Sequence, residues 1–190
     1  MSRSLRITHV DVADYLAGER LAETRHEYVD GELFAMTGAS RAHVRLSMNL
    51  AIRIGTHLEG GPCRVAASDM KVRPAIGRRF YYPDLVVSCN DPAEEEDEYV
   101  ETHPTLIVEV LSESTEQTDR REKRLAYQSI DSLREYVLVA QDRREVSVYR
   151  RDGDGWLLDV LGSGERIVLG SIGLELDIDD LYRGVDVPGA

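Results

Sequence analysis

The stretches Asp84-Leu85-Val86-Val87 and Ile107-Val108-Glu109-Val110-Leu111 each place a carboxylate on or beside a run of apolar, largely β-branched residues. Such runs predict strands that are buried on both faces of a sheet. Burying a carboxylate without a partner costs several kcal/mol, so Asp84 and Glu109 need a partner. A divalent metal ion is the simplest partner, because one ion can serve both carboxylates. Because adjacent strands lie about 4.8 Å apart, we expect both carboxylates to reach one ion.

The two-residue period of a strand sorts the side chains around Glu109. Ile107, Glu109 and Leu111 share one face, and the residues between them share the other. Glu109 therefore has apolar neighbours on its own face. The alternative is a glutamate at a sheet edge with its tip in water.

The elements predicted along the chain indicate an α/β or α+β domain with a mixed sheet and helices packed against it. A helix at 12–21 precedes a hairpin at 26–36, whose turn is Asp30-Gly31. A helix at 40–58 follows, with one side formed by Val44, Met48, Ala51 and Leu58. Strands are then predicted at 64–73, 79–89, 105–111, 134–140, 145–150, 156–161 and 166–169. The acidic run 91–101 reads as a solvated loop, and a helical turn is expected at 177–182.

The helix predicted after Glu109 carries a lysine on its inner face. It begins at a cap, Ser114 or Thr115, and runs to about Ile130. One stripe of this helix is formed by Lys123, Ala126, Tyr127 and Ile130. A lysine side chain rarely faces the protein interior unless an anionic group pairs with it there. The alternative is an exposed ion pair between Asp119 and Lys123.

Length, charge and cysteine content narrow the class of protein. A chain of 190 residues predicts one domain with a proper core, and a net charge of −12 argues against avid, non-specific binding to phosphate backbones. No long apolar stretch predicts a membrane span, and no apolar segment typical of a secretory signal stands at the N-terminus. Cys63 and Cys89 lack metal-ligand spacing and are predicted to be buried free thiols, which makes the cytoplasm the expected location.

Taken in order, these residues resemble the Uma-two endonuclease family, part of the PD-(D/E)XK superfamily with a restriction-endonuclease-like fold. The resemblance runs from about 26 to 150 and rests on Glu27-Tyr-Val-Asp-Gly31, His43, Pro83-Asp84, Glu109-Val-Leu-Ser112, Ser114-Thr115, Asp119, Lys123 and Tyr127. It implies one nuclease-like domain over 1–190, with a helical segment at 1–24, a core at 25–150 and further strands at 151–190. The superfamily's lysine two residues after the acid is absent, because Leu111 stands there. Lys123 matches the displaced position that members of this type use.

The resemblance implies roles for particular residues. Asp84, Glu109 and the main-chain carbonyl of Val110 would hold Mg²⁺ or Mn²⁺, and Lys123 would orient the attacking water or stabilise the phosphate. Glu27 would position a water or a second ion; the alternative is a hairpin acid in solvent. His43 shares a helix side with Leu50 and Ile54, which predicts that it points inward at the site; the alternative is a satisfied core or surface histidine.

The leading hypothesis is therefore a divalent-metal-dependent DNA endonuclease, possible as a homodimer by analogy with enzymes that cut both strands. The net charge and the missing lysine at Leu111 favour an alternative: a nuclease-fold module with weak or no catalysis that binds nucleic acid or protein. A third hypothesis is a metal-dependent hydrolase of a small phosphorylated compound.

Overall fold

A six-stranded mixed sheet forms the centre of the fold. The computed structural model describes residues 9–91, 93, 95, 97–113 and 115–187. The central strand order is β11-β10-β9-β8-β6-β3. Its members are β3 (Arg64–Ala67), β6 (Leu85–Ser88), β8 (Leu106–Leu111), β9 (Glu135–Ala140), β10 (Glu145–Asp152) and β11 (Gly155–Gly162). Neighbouring strands are antiparallel except β8 and β9, which are parallel. The predicted fold class, a mixed sheet with helices and additional hairpins, is confirmed.

Smaller sheets surround the central one. A three-stranded sheet has the order β2-β1-β5, and two pairs join β4 to β7 and β12 to β13. Their bounds are β1 (His26–Val29), β2 (Glu32–Ala35), β4 (Lys71–Val72), β5 (Arg79–Phe80), β7 (Val100–Glu101), β12 (Arg166–Leu169) and β13 (Leu174–Asp177). The predicted hairpin of β1 and β2 is confirmed, and its turn has φ 49° at Asp30 and φ 104° at Gly31. Positive φ at both positions is the type I′ geometry that favours Asn or Asp followed by Gly.

Two of the helices cover the two faces of the central sheet. The helices are α1 (Val12–Glu19), α2 (Arg41–Leu58), α3, which joins the segments Glu116–Thr118, Asp119–Lys123 and Arg124–Gln128, and α4 (Ile178–Leu181). One face packs on α2 through Leu46, Leu50 and Ile54, and the other packs on α3 through Ala126 and Tyr127. The described helices include none that is both long enough and apolar enough to cross a bilayer.

The alternation predicted for β8 is confirmed by this two-sided core. Ile107 and Leu111 belong to the cluster beneath α3, whereas Val108 and Val110 belong to the cluster beneath α2. Glu109 lies between Ile107 and Leu111 on the α3 face and is 4% exposed. The alternative of a solvated edge glutamate is therefore wrong.

The predicted strands need one correction, and the packing of α2 refines its predicted side. The strands predicted at 64–73 and 79–89 are each divided, the first at Ser68, which has φ 47° and donates its N–H to the carbonyl of Asp84 at 3.1 Å, and the second between Phe80 and Leu85. The core face of α2 is formed by Leu46, Leu50 and Ile54. Of the side described from the sequence, Ala51 and Leu58 pack against that core, whereas Val44 and Met48 are half exposed. The helix has two adjacent apolar stripes, and the sequence does not say which one meets the sheet.

The cysteine prediction is wrong, because Cys63 and Cys89 form a disulfide. Arg64 pairs with Ser88 where β3 and β6 run antiparallel, so the next residue outward on each strand is a cysteine facing its partner. The sequence does not reveal which strands pair, and the free-thiol interpretation failed for that reason. A cytoplasmic location stays a prediction.

In the acidic run, Val100 and Glu101 form a strand beside β4, and Glu95 accepts hydrogen bonds from Thr102. These described parts are ordered rather than simply solvated. The Ser114 cap lies outside the described residues, and Thr115 occupies the cap position of α3 without a capping side-chain hydrogen bond.

Candidate active site

The site lies at the edge where β6 begins and β8 ends, because Asp84 directly precedes β6 and Glu109 stands near the end of β8. The carboxylate of Asp84 accepts a hydrogen bond from the N–H of Val110 at 2.7 Å. The N–H of Asp84 in turn points at Oε2 of Glu109 at 3.4 Å. The two carboxylates therefore lie side by side, as expected for residues on adjacent strands.

His43 supplies the third contact of Asp84. It stands in the first turn of α2, whose N-cap Ser40 accepts a hydrogen bond from the N–H of His43 at 3.1 Å. The cap fixes the start of the helix, and Nε2 of His43 lies 2.7 Å from Oδ1 of Asp84. The inward orientation predicted from the spacing with Leu50 and Ile54 is confirmed.

Lys123 reaches Glu109 from α3. Its Nζ lies 3.3 Å from Oε1 of Glu109, and the Tyr127 hydroxyl donates to the same oxygen at 3.2 Å. Lys123 is 5% exposed, so the predicted inner face of α3 is confirmed. Leu111, where the superfamily has its lysine, is buried in the apolar cluster beneath α3.

Asp119 also contacts the ammonium group, since its Oδ1 lies 3.3 Å from Nζ of Lys123. The two residues bracket a π-helical turn, a feature that often marks functional sites. The Tyr136 hydroxyl donates to the carbonyl of Asp119 and holds this turn against β9. Asp119 is 1% exposed, and its Oδ1 makes no hydrogen bond of good geometry with the described residues. The alternative predicted from the sequence, an exposed ion pair between Asp119 and Lys123, is right about the two partners and wrong about their exposure, because both are buried.

Glu27 completes the surroundings of the ammonium group. Its Oε1 lies 2.7 Å from Nζ of Lys123 and also accepts from the N–H of Tyr82 at 3.3 Å. Buried Glu19 of α1 binds the N–H of His26 at 2.7 Å and the hydroxyl of Tyr82 at 3.1 Å. Glu19 thus anchors the backbone of the residue before Glu27 and the side chain of Tyr82. Glu27 lies in the cleft beside Lys123, so the alternative of a hairpin acid in solvent is wrong.

The charges in the site are unbalanced. One ammonium group faces the carboxylates of Glu27, Glu109 and Asp119, and Asp84 lies beside them. Burial raises the pKa of Glu109 well above its usual value, and the other carboxylates add to the rise while Lys123 opposes it. Burial would lower the pKa of Lys123, but the carboxylates outweigh it and hold that pKa well above the ordinary value. Lys123 therefore keeps its positive charge, and the carboxylates are the groups in excess around it.

The donor set suits a hard divalent cation. Mg²⁺ is usually held by one or two carboxylates and several waters rather than by a complete protein cage. Asp84 and Glu109 offer two adjacent carboxylates, and Asp119 adds a buried oxygen, Oδ1, which lies 3.3 Å from Nζ of Lys123 and makes no hydrogen bond of good geometry with the described residues. Among the described residues, no three His, Cys, Asp or Glu side chains are grouped so that they could hold a metal ion by themselves.

These groups open into a cleft of about 1150 Å³. Its wall includes all five predicted catalytic residues, namely Glu27, His43, Asp84, Glu109 and Lys123. The structure thus brings the predicted set together. Val110 contributes its N–H to Asp84, and a role for its carbonyl stays a prediction.

Two further residues that line the cleft carry no catalytic role predicted from the sequence: Asp119, and Tyr81, whose ring lies 5.6 Å from Nζ of Lys123. A signal for Asp119 was present, because it precedes Lys123 by four residues and Tyr127 by eight and so shares their stripe. Nothing in the sequence indicates a role for Tyr81, which lies in the segment that connects β5 to β6.

This chain is similar to known proteins over most of its length. Two proteins of Synechocystis sp. (strain ATCC 27184 / PCC 6803 / Kazusa) are similar in sequence. "Uncharacterized protein slr1290" is 37% identical over 173 residues, which is 90% of each chain. "Uncharacterized protein sll1609" is 33% identical over 158 residues, 82% of this chain and 89% of the relative.

A crystal structure of "a putative nuclease belonging to DUF820 from Anabaena variabilis ATCC 29413" shares the fold. Its TM-score is 0.75 at 19% identity, covering 92% of this chain and 98% of that one. The model of the Uma2 family, described as "Putative restriction endonuclease", matches residues 12–179. With the family pattern spanning nearly the whole chain and the restriction-endonuclease-like fold in place, this protein belongs to the Uma2 family.

Proposed function

We propose that this chain is a divalent-metal-dependent endonuclease that hydrolyses phosphodiester bonds in DNA. One observation carries the proposal: Asp84, Glu109 and Lys123 come from three separate elements and meet in one cleft. Burying two adjacent carboxylates and an ammonium group in one place carries a desolvation cost, which the binding of a charged ligand offsets. Membership in a family described as "Putative restriction endonuclease" supports a phosphodiester as that ligand.

The metal ion would be held by Asp84 and Glu109, with Mg²⁺ or Mn²⁺ as the fitting species. When bound, it lowers the pKa of a coordinated water and offsets charge on the phosphate. The main-chain N–H of Val110 fixes Oδ2 of Asp84, while His43 fixes its other oxygen. This carboxylate is therefore oriented before any ligand arrives, which reduces the cost of binding.

Lys123 acts as an electrostatic stabiliser of the phosphate. Because the surrounding carboxylates raise its pKa, the ammonium keeps its positive charge in the site. Its charge reaches the site from α3 instead of from β8, where Leu111 fills the core. Glu27 and Asp119 hold Nζ in place at 2.7 and 3.3 Å. Preorganised charge of this kind is typically worth about 10² or more in rate.

A plasmid-nicking assay tests the proposal. The wild-type protein should cleave DNA in Mg²⁺ or Mn²⁺ and should stop in EDTA. Asp84→Asn and Glu109→Gln should each abolish cleavage. Asp131→Asn is a matched control, because Asp131 is an exposed acid outside the cleft.

The result that contradicts the proposal is a wild-type protein that leaves DNA intact in both metals, or variants that cut at its rate. Parallel turnover of a small phosphomonoester would distinguish the hydrolase of small phosphorylated compounds from the nuclease. Binding to DNA without any cleavage would favour the inactive module.

A further inference from the structure

One wall of the cleft is apolar and exposed. Phe34 of β2 is 50% exposed, and Met48 of α2 is 52% exposed. Met36 and Val44 lie on the same wall and are also exposed. Large apolar side chains gathered at one opening of a soluble protein commonly mark a binding surface.

This wall is continuous with the candidate active site. Phe34 stands directly opposite Glu27 in the β1–β2 ladder, so the two side chains project from the same face of that sheet. Oε1 of Glu27 lies 2.7 Å from Nζ of Lys123. A ligand whose phosphate lies at Lys123 therefore places its neighbouring groups against Phe34.

The charges around the cleft disfavour recognition through the phosphate backbone alone. Of the described residues that line the cleft, Lys123 is the one with a permanently positive side chain. The acidic residues of the lining are Glu27, Asp84, Glu109, Glu113, Asp119 and Glu122, of which Asp84 and Glu109 are the proposed ligands of the metal ion. Beyond the one phosphate bound at the metal and Lys123, binding energy for a nucleic acid must therefore come largely from apolar contact with bases. A paired duplex hides the faces of its bases by stacking, whereas an unpaired nucleotide exposes them.

We propose that the cleft takes an unpaired nucleotide, in a single strand or at a disrupted site in a duplex, whose base packs on Phe34 and Met48 while its phosphate lies at Asp84, Glu109 and Lys123. The inference rests on the proposed nuclease function for the phosphate and on the apolar wall for the base. It gives the substrate class as unpaired DNA rather than intact duplex.

Binding of short fluorescent oligonucleotides in Ca²⁺ tests the proposal, with anisotropy as the readout. A single strand and a duplex with a mismatched bubble should bind more tightly than the fully paired duplex. Phe34→Ala should weaken binding of the single strand by about fivefold to 150-fold, the range for loss of one stacked base. Phe34→Trp should keep the affinity, which shows that the ring and not the fold is responsible. Affinity should fall only about threefold between about 50 and 200 mM salt, as expected for one neutralised phosphate.

The chain offers two matched controls. Leu33 neighbours Phe34 in β2, is 44% exposed and lies outside the cleft. Ile52 follows Met48 by one helical turn, is 59% exposed and also lies outside it. Leu33→Ala and Ile52→Ala should leave affinity unchanged, while Met48→Ala should weaken it.

Two outcomes would overturn the inference. The first is equal affinity for the paired duplex and the single strand, with no loss in Phe34→Ala. The second is a dimer in sedimentation that Phe34→Ala converts to a monomer, since the wall would then be an interface between copies of the chain. The plasmid assay keeps the two proposals apart: single-strand binding that depends on Phe34 stands even if no strand is cut.

Discussion

Replacing Lys123 with methionine should destabilise the protein in the absence of divalent metal. The substitution keeps the length and apolar stem of the side chain and removes the charge. It leaves Glu27, Glu109 and Asp119 around a neutral group, with the latter two almost completely buried. Removing one partner from a buried ion pair costs roughly 3–5 kcal/mol, because the other charge stays buried and uncompensated. For a domain of this size the melting temperature should fall by about 10 °C.

The loss should depend on pH with a definite sign. Burial and neighbouring carboxylates already raise the pKa of Glu109 and Asp119 in the folded wild-type protein, although Lys123 opposes the rise. Without Lys123 these pKa values rise further, so the folded variant binds more protons than its unfolded chain. Stability of the variant should therefore fall as pH rises from the ordinary carboxyl values toward neutrality, and recover as pH drops toward about 4.5.

Urea denaturation at several pH values, followed by circular dichroism, measures this effect. Lys71 provides a matched control, because it is the chain's other lysine and is 4% exposed. Its Nζ lies over the ring of Tyr82 at 5.4 Å, and burial lowers its pKa, so its charge contributes less to the fold. Lys71→Met should change stability less and leave the pH slope near the wild type. Equal stability of Lys123→Met and wild type at neutral pH without metal would refute the reasoning.

Three further predictions concern metal, the π-helical turn and the disulfide. Mg²⁺ at about 100 times its Kd should stabilise the wild-type protein by about 2.7 kcal/mol in thermal melts, and Asp84→Asn should abolish the shift; an unchanged wild-type melting temperature in millimolar Mn²⁺ would count against the site. Asp119→Asn should lower kcat by up to about 10²-fold with little change in KM, because Lys123 loses a positioning contact; a rate equal to wild type would assign Asp119 to structure alone. Reducing the Cys63–Cys89 disulfide should lower the free energy of unfolding by about 3 kcal/mol, given its sequence separation of 26. A urea midpoint that is the same with and without reductant would indicate that the two cysteines are free thiols.

The core of the site was predictable because burial and charge conflict there. Asp84 and Glu109 stand beside apolar runs, and Lys123 stands on an apolar helical stripe, so each violates the usual pattern in a way that needs a partner. His43 was less certain: it shares a helix side with Leu50 and Ile54, but α2 has two adjacent apolar stripes, so an ordinary core or surface histidine stayed open. Periodicity says which side chains share a face, and the packing of the helix decides which face meets the sheet.

The remainder depends on tertiary pairing that periodicity does not encode. Cys63 and Cys89 meet only because β3 lies beside β6, and the sequence does not specify strand order. Phe34 becomes part of the cleft because β2 is the outer strand of its small sheet. The buried environment of Asp119 follows from the packing of α3 on the sheet, where spacing alone suits an exposed ion pair equally well.

The most direct test of the metal-dependent site is a crystal of the wild-type protein grown with Mn²⁺, examined by anomalous scattering. A strong anomalous peak is expected between the carboxylates of Asp84 and Glu109, with metal–oxygen distances of about 2.1 Å and waters filling the remaining positions. The peak should disappear in Asp84→Asn. A cleft without an anomalous peak, with Mn²⁺ bound only at surface acids, would show that these carboxylates do not form a metal site.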